Sequence, residues 1–224
     1  MLRTDPPFAE AARELVRVGR FFSGRGSVPA TSGNFSMRVA AEPTAGGAGA
    51  ARAPQHGASR RVAITRSGVD KGDLTEADIL AADIDEPPPA GSSAETSLHL
   101  ALYRDRDDCA AVVHTHADAA AILSMVLAEE GRIVLTGWEL LKALRGVGTH
   151  EARVVIPVFG NDQDVPALAG RVSARLSGEP GAVAYLLAGH GLYAWGASLS
   201  EAKRHAVAME HLLTCELQKR RLRP

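Results

Sequence analysis

The chain has 224 residues, 46% of them hydrophobic and 23% charged, with 25 Lys+Arg against 26 Asp+Glu and a formal net charge of −1. This apolar content is enough for one sizeable core but not for two, so we expect a single domain over residues 1–224. Because a near-neutral chain has no long-range field that gathers polyanions, the composition argues against a general nucleic-acid or membrane-surface binder. Any anion-binding site must therefore be local.

The sequence also favours a cytoplasmic protein. No apolar run follows the charges of the N-terminus, and the longest apolar stretch, 117–128, is far shorter than the ~20 residues that cross a membrane. Cys109 and Cys215 are the only cysteines, and their apolar surroundings predict two buried thiols rather than a disulfide. We therefore expect no membrane partner.

The first half of the chain predicts one helix, two strands and one insertion. Apolar residues recur at helical spacing over residues 6–24, and Asp5 is a suitable N-cap for that helix. Alternating apolar residues predict half-buried strands at 35–39 and 62–64. The Gly/Ala-rich stretch 43–59 has almost nothing to bury, which predicts a flexible insertion within the domain.

Later helices and strands are predicted from capping boxes and short apolar runs. A hydroxyl followed three residues later by a carboxylate can start four helices, at Thr75–Asp78, Ser92–Glu95, Thr136–Glu139 and Ser198–Glu201. Strands are predicted at 110–113, 133–135, 154–158, 183–187 and 192–195. Since the last two are separated by only four residues, too few for a parallel crossover, we expect a largely antiparallel sheet with helices packed on it. Cations at 219–221 suit the C-terminus of the last helix.

Three histidines are candidate metal ligands. His114 and His116 are two residues apart on a predicted strand, so both side chains project from one face. Taken alone, this pair could equally be satisfied polar residues at a strand end. His190 lies between Gly189 and Gly191 at the end of another strand, and three imidazoles with an open position are typical of a catalytic Zn²⁺ site.

Two Gly/Ser-rich turns, at 31–36 and 65–70, are candidate anion sites. Their hydroxyls and unencumbered backbone amides can cradle phosphate, and Arg66 and Lys71 add positive charge. Neither turn carries a nucleotide-binding fingerprint. From the pattern alone, each could also be a tight turn beside a strand.

Two carboxylates, Glu95 and Glu139, have two possible roles. Each completes a capping box, which is a sufficient structural role. A metal that acidifies a carbon acid nevertheless requires a positioned proton acceptor near the imidazoles. Spacing does not decide which of the two carboxylates serves as that acceptor.

The order of these motifs resembles the class II aldolase/adducin family, and within it the branch that dehydrates methylthioribulose 1-phosphate. The resemblance covers the chain except for its extreme N-terminus and the 43–59 insertion. Segments 114–116 and 189–191 are typical of the whole family, whereas Trp138-Glu-Leu-Leu-Lys142 and Thr149-His-Glu-Ala-Arg153 are typical of the dehydratase branch. The other matching segments are 29–36, 64–72, 93–96, 161–164 and 192–195.

This resemblance implies a fold, a cofactor and an assembly. It implies a single three-layer α/β/α domain with a mostly antiparallel central sheet, and a homotetramer with active sites near subunit interfaces. It also implies one Zn²⁺ per subunit, held by His114, His116 and His190. The implied activity is the zinc-dependent dehydration of 5-methylthioribulose 1-phosphate to 2,3-diketo-5-methylthiopentyl 1-phosphate, a hydro-lyase step of methionine salvage.

The resemblance further implies roles for individual residues. Glu139 would be the catalytic acid/base, and Glu95 stands in the substrate site where aldolases of the family keep an acid/base carboxylate. The phosphate would be bound by two turns, through Ser32, Gly33, Asn34, Ser67 and Gly68.

Three other functions remain possible from the sequence. A sugar-phosphate aldolase or epimerase of the same family would use the same zinc, but the segment around Glu139 argues against it. An adducin-like interaction module would not need the complete set of three histidines. A zinc hydrolase would fit the ligands, but the chain lacks the helix-borne HExxH motif.

Overall fold

The computed structural model of the protein describes residues 5–40 and 59–222. All but the last residue of the predicted 43–59 insertion lies outside the described residues. The five α-helices described are α1 (Pro6–Gly24), α2 (Thr96–Asp105), α3 (Asp118–Val126), α4 (Val165–Leu176) and α5 (Leu199–Leu222). The strands are β1 (Asn34–Arg38), β2 (Arg61–Thr65), β3 (Ile79–Asp83), β4 (Ala111–Thr115), β5 (Arg132–Leu135), β6 (Val154–Phe159), β7 (Ala184–Leu187) and β8 (Gly191–Gly196).

The eight strands form one sheet in the order β3-β2-β1-β4-β8-β7-β6-β5. Every neighbouring pair is antiparallel except β6 and β7, which are parallel. The expectation of a mostly antiparallel α/β fold is confirmed. Strands β4 and β8 lie side by side in the middle of the sheet, and this pairing brings together the ends of two histidine-bearing segments.

Helices cover both faces of the sheet, which gives three layers. Val113 of β4 packs in a core with residues of α1, α3 and α5, whereas its neighbour Val112 packs with residues of α2 and α4. This alternation follows from the two-residue period of a strand. Because both faces are covered, β1 and β2 are more deeply buried than their alternating pattern predicts. Even the polar Ser36 of β1 is fully buried.

Side-chain caps begin three of the helices. Asp5 Oδ1 accepts a hydrogen bond from Phe8 N at 2.8 Å, and Pro6 occupies the first turn of α1, as predicted. Ser198 Oγ accepts from Glu201 N at 3.1 Å at the start of α5, which confirms that capping box. Asp164 caps α4. The capping-box pattern does not predict this helix, because its N-cap residue is an aspartate and not a hydroxyl residue.

Of two other capping-box predictions, the one at Thr75 is confirmed but starts only a short 3₁₀ turn, whereas the one at Thr136 is wrong. The Thr75 pattern caps a single 3₁₀ turn, Glu76–Asp78, because the residues that follow pair with β2 as strand β3. Glu139 begins a 3₁₀ segment, Glu139–Ala143, that has no side-chain cap. Thr136 Oγ1 instead donates to the Glu151 carbonyl oxygen at 3.3 Å. The carboxylate of Glu139 therefore has no capping role.

Both cysteines are free thiols, but only Cys109 is buried, while Cys215 on α5 is partly exposed. At the end of α5, Lys219 and Arg220 pair with Glu216 of the preceding turn. Within the described ranges, no helix is both long and apolar enough to cross a membrane.

Candidate metal centre

Three histidines and one glutamate meet at one end of the central strands. His114 is in β4, His116 follows it directly, His190 lies in the tight turn between β7 and β8, and Glu95 immediately precedes α2. One ligand atom from each of these four residues lies within 4.8 Å of every other. The predicted histidine triad is therefore assembled from three segments that are distant in the sequence.

Neighbouring groups fix the orientation of His114, which is fully buried. Its Nδ1 lies 3.0 Å from the Leu192 carbonyl oxygen on β8, so Nδ1 carries the proton and donates it. The Nε2 lone pair is then free to bind a metal. Tyr193, also on β8, stacks on the imidazole ring with a centroid distance of 3.9 Å and an interplanar angle of 14°.

The turn that carries His190 requires glycine. A Cβ atom added to Gly191 would lie 2.1 Å from the Thr115 carbonyl oxygen, so any other residue would push β8 away from β4. This close approach brings the His190 ring to a centroid distance of 4.6 Å from that of His116. On its other side, His190 Nδ1 faces Asn161 Oδ1 at 3.4 Å.

Glu95 faces the histidines and does not cap a helix. Its Oε1 lies 2.7 Å from His190 Nε2, its Oε2 lies 3.6 Å from His114 Nε2, and Asn34 donates to the same carboxylate. The capping box predicted from Ser92 is therefore wrong: Glu95 itself has helical dihedral angles and no capping hydrogen bond. Burial opposes ionisation of Glu95, but the facing imidazoles outweigh it and hold the pKa of this carboxyl well below its usual range.

The donor set fits a divalent metal ion. Burial, reinforced by the neighbouring imidazoles, lowers the pKa of His116 to about 3, so the ring is in the neutral form that binds metals. The Nε2 atoms of His114 and His116 are 2.9 Å apart, so one ion could bind both at the usual Zn–N distance of about 2.0–2.1 Å. Three imidazoles and one carboxylate are a suitable set for Zn²⁺ or a similar ion.

A cavity of about 170 Å³ adjoins this cluster. His116 and Glu95 line both the cluster and the cavity, so a molecule in the cavity would touch the metal position. The remaining wall is polar and consists of Thr31, Ser32, Gly33, Asn34, Arg66, Ser67 and Ser93. Four of the five residues predicted to bind phosphate are therefore in the wall. The fifth, Gly68, is in the adjoining turn.

Gly33 allows the turn at 31–36 to approach β4, the strand that contains His114. Its φ of +71° lies in the left-handed region, and a Cβ atom there would lie 2.8 Å from the His114 carbonyl oxygen. A side chain at this position would thus separate the turn from β4. Close contact between the two is what makes the cavity continuous with the histidine cluster.

Glu139 is not part of this cluster. Its side chain is 71% exposed, and its carboxylate pairs with Lys142 and lies 3.8 Å from His150 Nδ1. The hydrogen bond from Lys142 lowers the pKa of Glu139. Within one chain, the described structure therefore brings Glu95 to the metal ligands and leaves Glu139 on the surface.

Several contributing residues were not identified from the sequence. Tyr193 and Asn161 orient metal ligands, and both lie in segments that carry the family resemblance, which was the available signal. His99 on α2 is fully buried, and its Nδ1 lies 2.7 Å from Ser36 Oγ. Burial lowers the pKa of His99 to about 3.

Comparison with known proteins identifies the family. A family model described as the class II aldolase and adducin N-terminal domain matches residues 13–217. The chain is 46% identical over 222 residues to the methylthioribulose-1-phosphate dehydratase of Bradyrhizobium sp., a match that covers 97% of this chain and 94% of that protein. It is 44% identical to the methylthioribulose-1-phosphate dehydratase of Sorangium cellulosum, with 94% and 92% covered.

Solved structures share the same fold. The L-fuculose-1-phosphate aldolase of Thermus thermophilus superposes with a TM-score of 0.70 at 28% identity, covering 95% of this chain and 96% of that one. The family model spans most of the sequence, and the relatives match it over nearly their full length. The chain therefore belongs to the class II aldolase and adducin family.

Proposed function

We propose that this protein is a hydro-lyase that dehydrates 5-methylthioribulose 1-phosphate to 2,3-diketo-5-methylthiopentyl 1-phosphate, a step of methionine salvage. The observation that carries the proposal is the continuity of the histidine cluster with a polar cavity through His116 and Glu95. A sugar phosphate needs both parts, one for its carbonyl and one for its phosphate. The full-length relatives named methylthioribulose-1-phosphate dehydratase support this substrate.

The metal in this proposal is zinc, one ion per subunit, held by His114, His116 and His190. Bound there, it would polarise the C2 carbonyl of the substrate and make the C3 proton more acidic. The Leu192 carbonyl and Tyr193 hold His114 with its Nε2 toward the substrate. The protein's contribution is thus to fix ligands before the substrate arrives.

The phosphate would bind in the cavity, against the turns that contain Ser32, Gly33, Asn34, Ser67 and Gly68. Hydroxyl groups and free backbone amides of such turns are suitable donors to phosphate oxygens. Binding at this end leaves the C2 and C3 atoms near the histidines. Fixing both ends of the substrate converts the proton transfer into a positioned, effectively unimolecular step.

Glu139 is the proposed acid/base. Its carboxylate would take the proton from C3, the C4–O bond would break, and the same proton would leave with the C4 hydroxyl as water. The resulting enol then takes up a proton at C4, loses the proton of its C3 hydroxyl and becomes the 2,3-diketone. Since Glu139 is exposed and is not part of the cluster of its own chain, we propose that it serves the active site of a neighbouring subunit in a homotetramer.

We also propose a single functional domain and a cytoplasmic location. The family model extends over most of the chain, which supports one functional domain over residues 1–224. Free thiols at Cys109 and Cys215 support a reducing compartment, and we propose the cytoplasm.

A sugar-phosphate aldolase is the second candidate. It is favoured by the contact of Glu95 with His190 and by the structural similarity to an L-fuculose-1-phosphate aldolase. The two activities give different products from the same substrate. Elimination gives the diketone phosphate and water, whereas retro-aldol cleavage between C3 and C4 gives dihydroxyacetone phosphate and an aldehyde.

One assay distinguishes the two candidates. The purified zinc-loaded protein is incubated with 5-methylthioribulose 1-phosphate, and both the diketone and dihydroxyacetone phosphate are quantified. We expect stoichiometric diketone with no cleavage product, and loss of turnover after chelation that zinc restores. Cleavage product in place of diketone would assign the protein to the aldolases.

A further inference from the structure

Lys71 is a buried lysine next to the cavity. Its side chain is 1% exposed, which is unusual for a lysine. Its Nζ donates to the Thr31 carbonyl oxygen at 2.9 Å and to the Val69 carbonyl oxygen at 2.8 Å. These carbonyls belong to the two turns that bound the cavity. The ammonium group therefore joins the two turns directly.

The charge of Lys71 has no partner of opposite sign in contact with it. Across residues 5–40 and 59–222, no carboxylate lies within 4.0 Å of its Nζ, whereas 15 of the 21 ion pairs found there involve arginine. Burial lowers the pKa of Lys71, while the negative charges of Asp70 and Glu95 oppose this effect. A buried cation without an ion-pair partner is costly unless a nearby anion compensates it.

The ammonium cannot easily move to solvent. The backbone of Lys71 packs directly against α1, where a Cβ atom on Gly19 would lie 2.7 Å from the Lys71 carbonyl oxygen. Its two carbonyl acceptors use two of the three N–H donors of the group. The positive charge is therefore fixed behind the wall of the cavity.

Other charges around the cavity do not favour a phosphate dianion. Glu95 lines the cavity, and its carboxylate would face a phosphate bound there. Arg66 also lines it, but its side chain is 40% exposed and its Nε lies 4.0 Å from Asp78 Oδ1, so solvent and a carboxylate weaken its field. Lys71 is the buried cation that can offset the charge of Glu95.

We propose that Lys71 is a positioning residue for the substrate phosphate: it holds the two turns together and supplies the buried positive charge that a phosphate dianion requires. This inference depends on the proposed function only for the identity of the substrate. The binding of a phosphate monoester in the cavity can be measured without any turnover.

The test compares Lys71→Met with Lys203→Met. Methionine is similar in length to lysine but carries no charge. Lys203, which is on α5 and whose Nζ lies over the ring of Phe21 on α1, is the control lysine. Methyl phosphate is titrated into each zinc-loaded protein in the presence of saturating acetohydroxamate, a phosphate-free chelating probe that occupies the metal position. We expect the Kd of methyl phosphate to rise at least about tenfold, equivalent to about 1.4 kcal/mol, in the Lys71 variant only.

Two further readouts separate a charge from a purely structural role. The zinc content and the Kd of acetohydroxamate should match the parent in Lys71→Met. With substrate, KM for the phosphorylated sugar should rise while kcat and the turnover of unphosphorylated methylthioribulose are retained. Equal losses for phosphorylated and unphosphorylated sugar would show that Lys71 only maintains the turns.

Either binding result decides the inference. A Kd for methyl phosphate within twofold of the parent in folded Lys71→Met overturns it. If that variant does not fold, Lys71→Gln keeps N–H donors for the carbonyls without the charge and is subject to the same criterion. If the parent protein fails to dehydrate the proposed substrate, the proposed function fails, but the methyl phosphate titration still tests Lys71.

Discussion

At the scale of single residues, the metal centre depends on groups that do not bind metal themselves. The Leu192 carbonyl fixes the protonated nitrogen of His114, and Asn34 donates to Glu95. Such contacts keep ligand atoms in place without a metal, so metal binding requires little reorganisation. We therefore expect the partly buried His116 and His190 to contribute more to affinity for the metal than to folding.

We predict that His116→Ala loses most of its metal but remains folded. The ring ends in the cluster and contributes one of three imidazole ligands, whereas the backbone of His116 remains bonded to the Ser27 carbonyl oxygen at 2.8 Å. His211→Ala is the control, because His211 is exposed on α5 beside Cys215 and is not part of the cluster. Elemental analysis after dialysis gives metal per chain, and circular dichroism gives the fold. Full retention of metal in His116→Ala would remove it from the ligand set.

We predict that Glu139→Gln and Glu95→Gln differ in their effects. Glu139 is exposed and has no capping role, so Glu139→Gln should keep its metal content and melting temperature. Its kcat should fall by on the order of 10²–10⁴-fold, the usual contribution of a general acid–base. Glu95→Gln removes a charge that contacts two imidazoles, so it should alter metal affinity as well.

Steady-state kinetics with metal analysis checks this pair. Solvent deuterium provides a second measurement, because a variant without the base should not exchange the C3 proton of bound substrate. Near-parental kcat in Glu139→Gln, together with a large loss in Glu95→Gln at full zinc loading, would transfer the acid/base role to Glu95.

At the scale of elements, His205 joins three segments. It lies fully buried on α5, where its Nδ1 donates to the Trp195 carbonyl oxygen of β8 at 2.6 Å. Its Nε2 accepts from Arg145 N, just after the 3₁₀ segment that begins at Glu139, at 3.1 Å. One imidazole thus connects the central sheet, the last helix and the segment that carries the proposed acid/base.

We predict that His205→Leu lowers the free energy of unfolding, because it leaves a buried carbonyl and a buried amide without partners, at about 1–3 kcal/mol each. Burial lowers the pKa of His205, so the folded protein holds the neutral ring. Its stabilising contribution is complete above the usual histidine pKa of about 6.5 and is lost as the pH falls through the lowered value. Urea unfolding at several pH values should show that the difference between parent and variant shrinks on acidification.

The elements also show what the sequence can predict. Alternating apolar residues located β1 and β2, and short apolar runs located β4, β5, β6, β7 and β8, because the sheet is covered by a core on each face. Capping boxes were less reliable, because a hydroxyl and a carboxylate at the right spacing do not reveal what else attracts the carboxylate. The Glu95 carboxylate contacts His114 and His190 instead of a helix start. Residues 79–83 pair with β2 as a strand instead of continuing a helix. These are tertiary contacts that local sequence does not encode.

The candidate site was predicted to a similar extent. The three histidines and the two Gly/Ser-rich turns have recognisable sequence patterns, and the structure brings them together. The burial of Lys71 could not be predicted, because it results from the packing of α1 on the turn after β2. The location of Glu139 outside the cluster could not be predicted either, because its spacing indicated only a helix start.

At the scale of the whole molecule, the sheet order explains why one site gathers residues from so many segments. β1, β4 and β8 are neighbours, and their ends bring Asn34, His116 and His190 to the same edge. Since a single chain presents Glu139 on its surface, our proposal assigns it to the metal site of a neighbouring subunit.

The last prediction tests this requirement by mixing two inactive variants. Glu139→Gln keeps the metal ligands but lacks the acid/base, and His190→Ala lacks a metal ligand but keeps Glu139. If Glu139 serves a neighbouring subunit, a mixed tetramer contains sites that combine an intact metal centre with an intact glutamate. Random mixing of equal amounts should activate about a quarter of the sites, and homo-oligomers of either variant should stay inactive. Co-expression with two different tags, purification of the mixed tetramer and measurement of kcat per chain would check this. A mixed tetramer with no more activity than its parents would place both groups in one chain, and Glu95 would then be the carboxylate in position to transfer the proton.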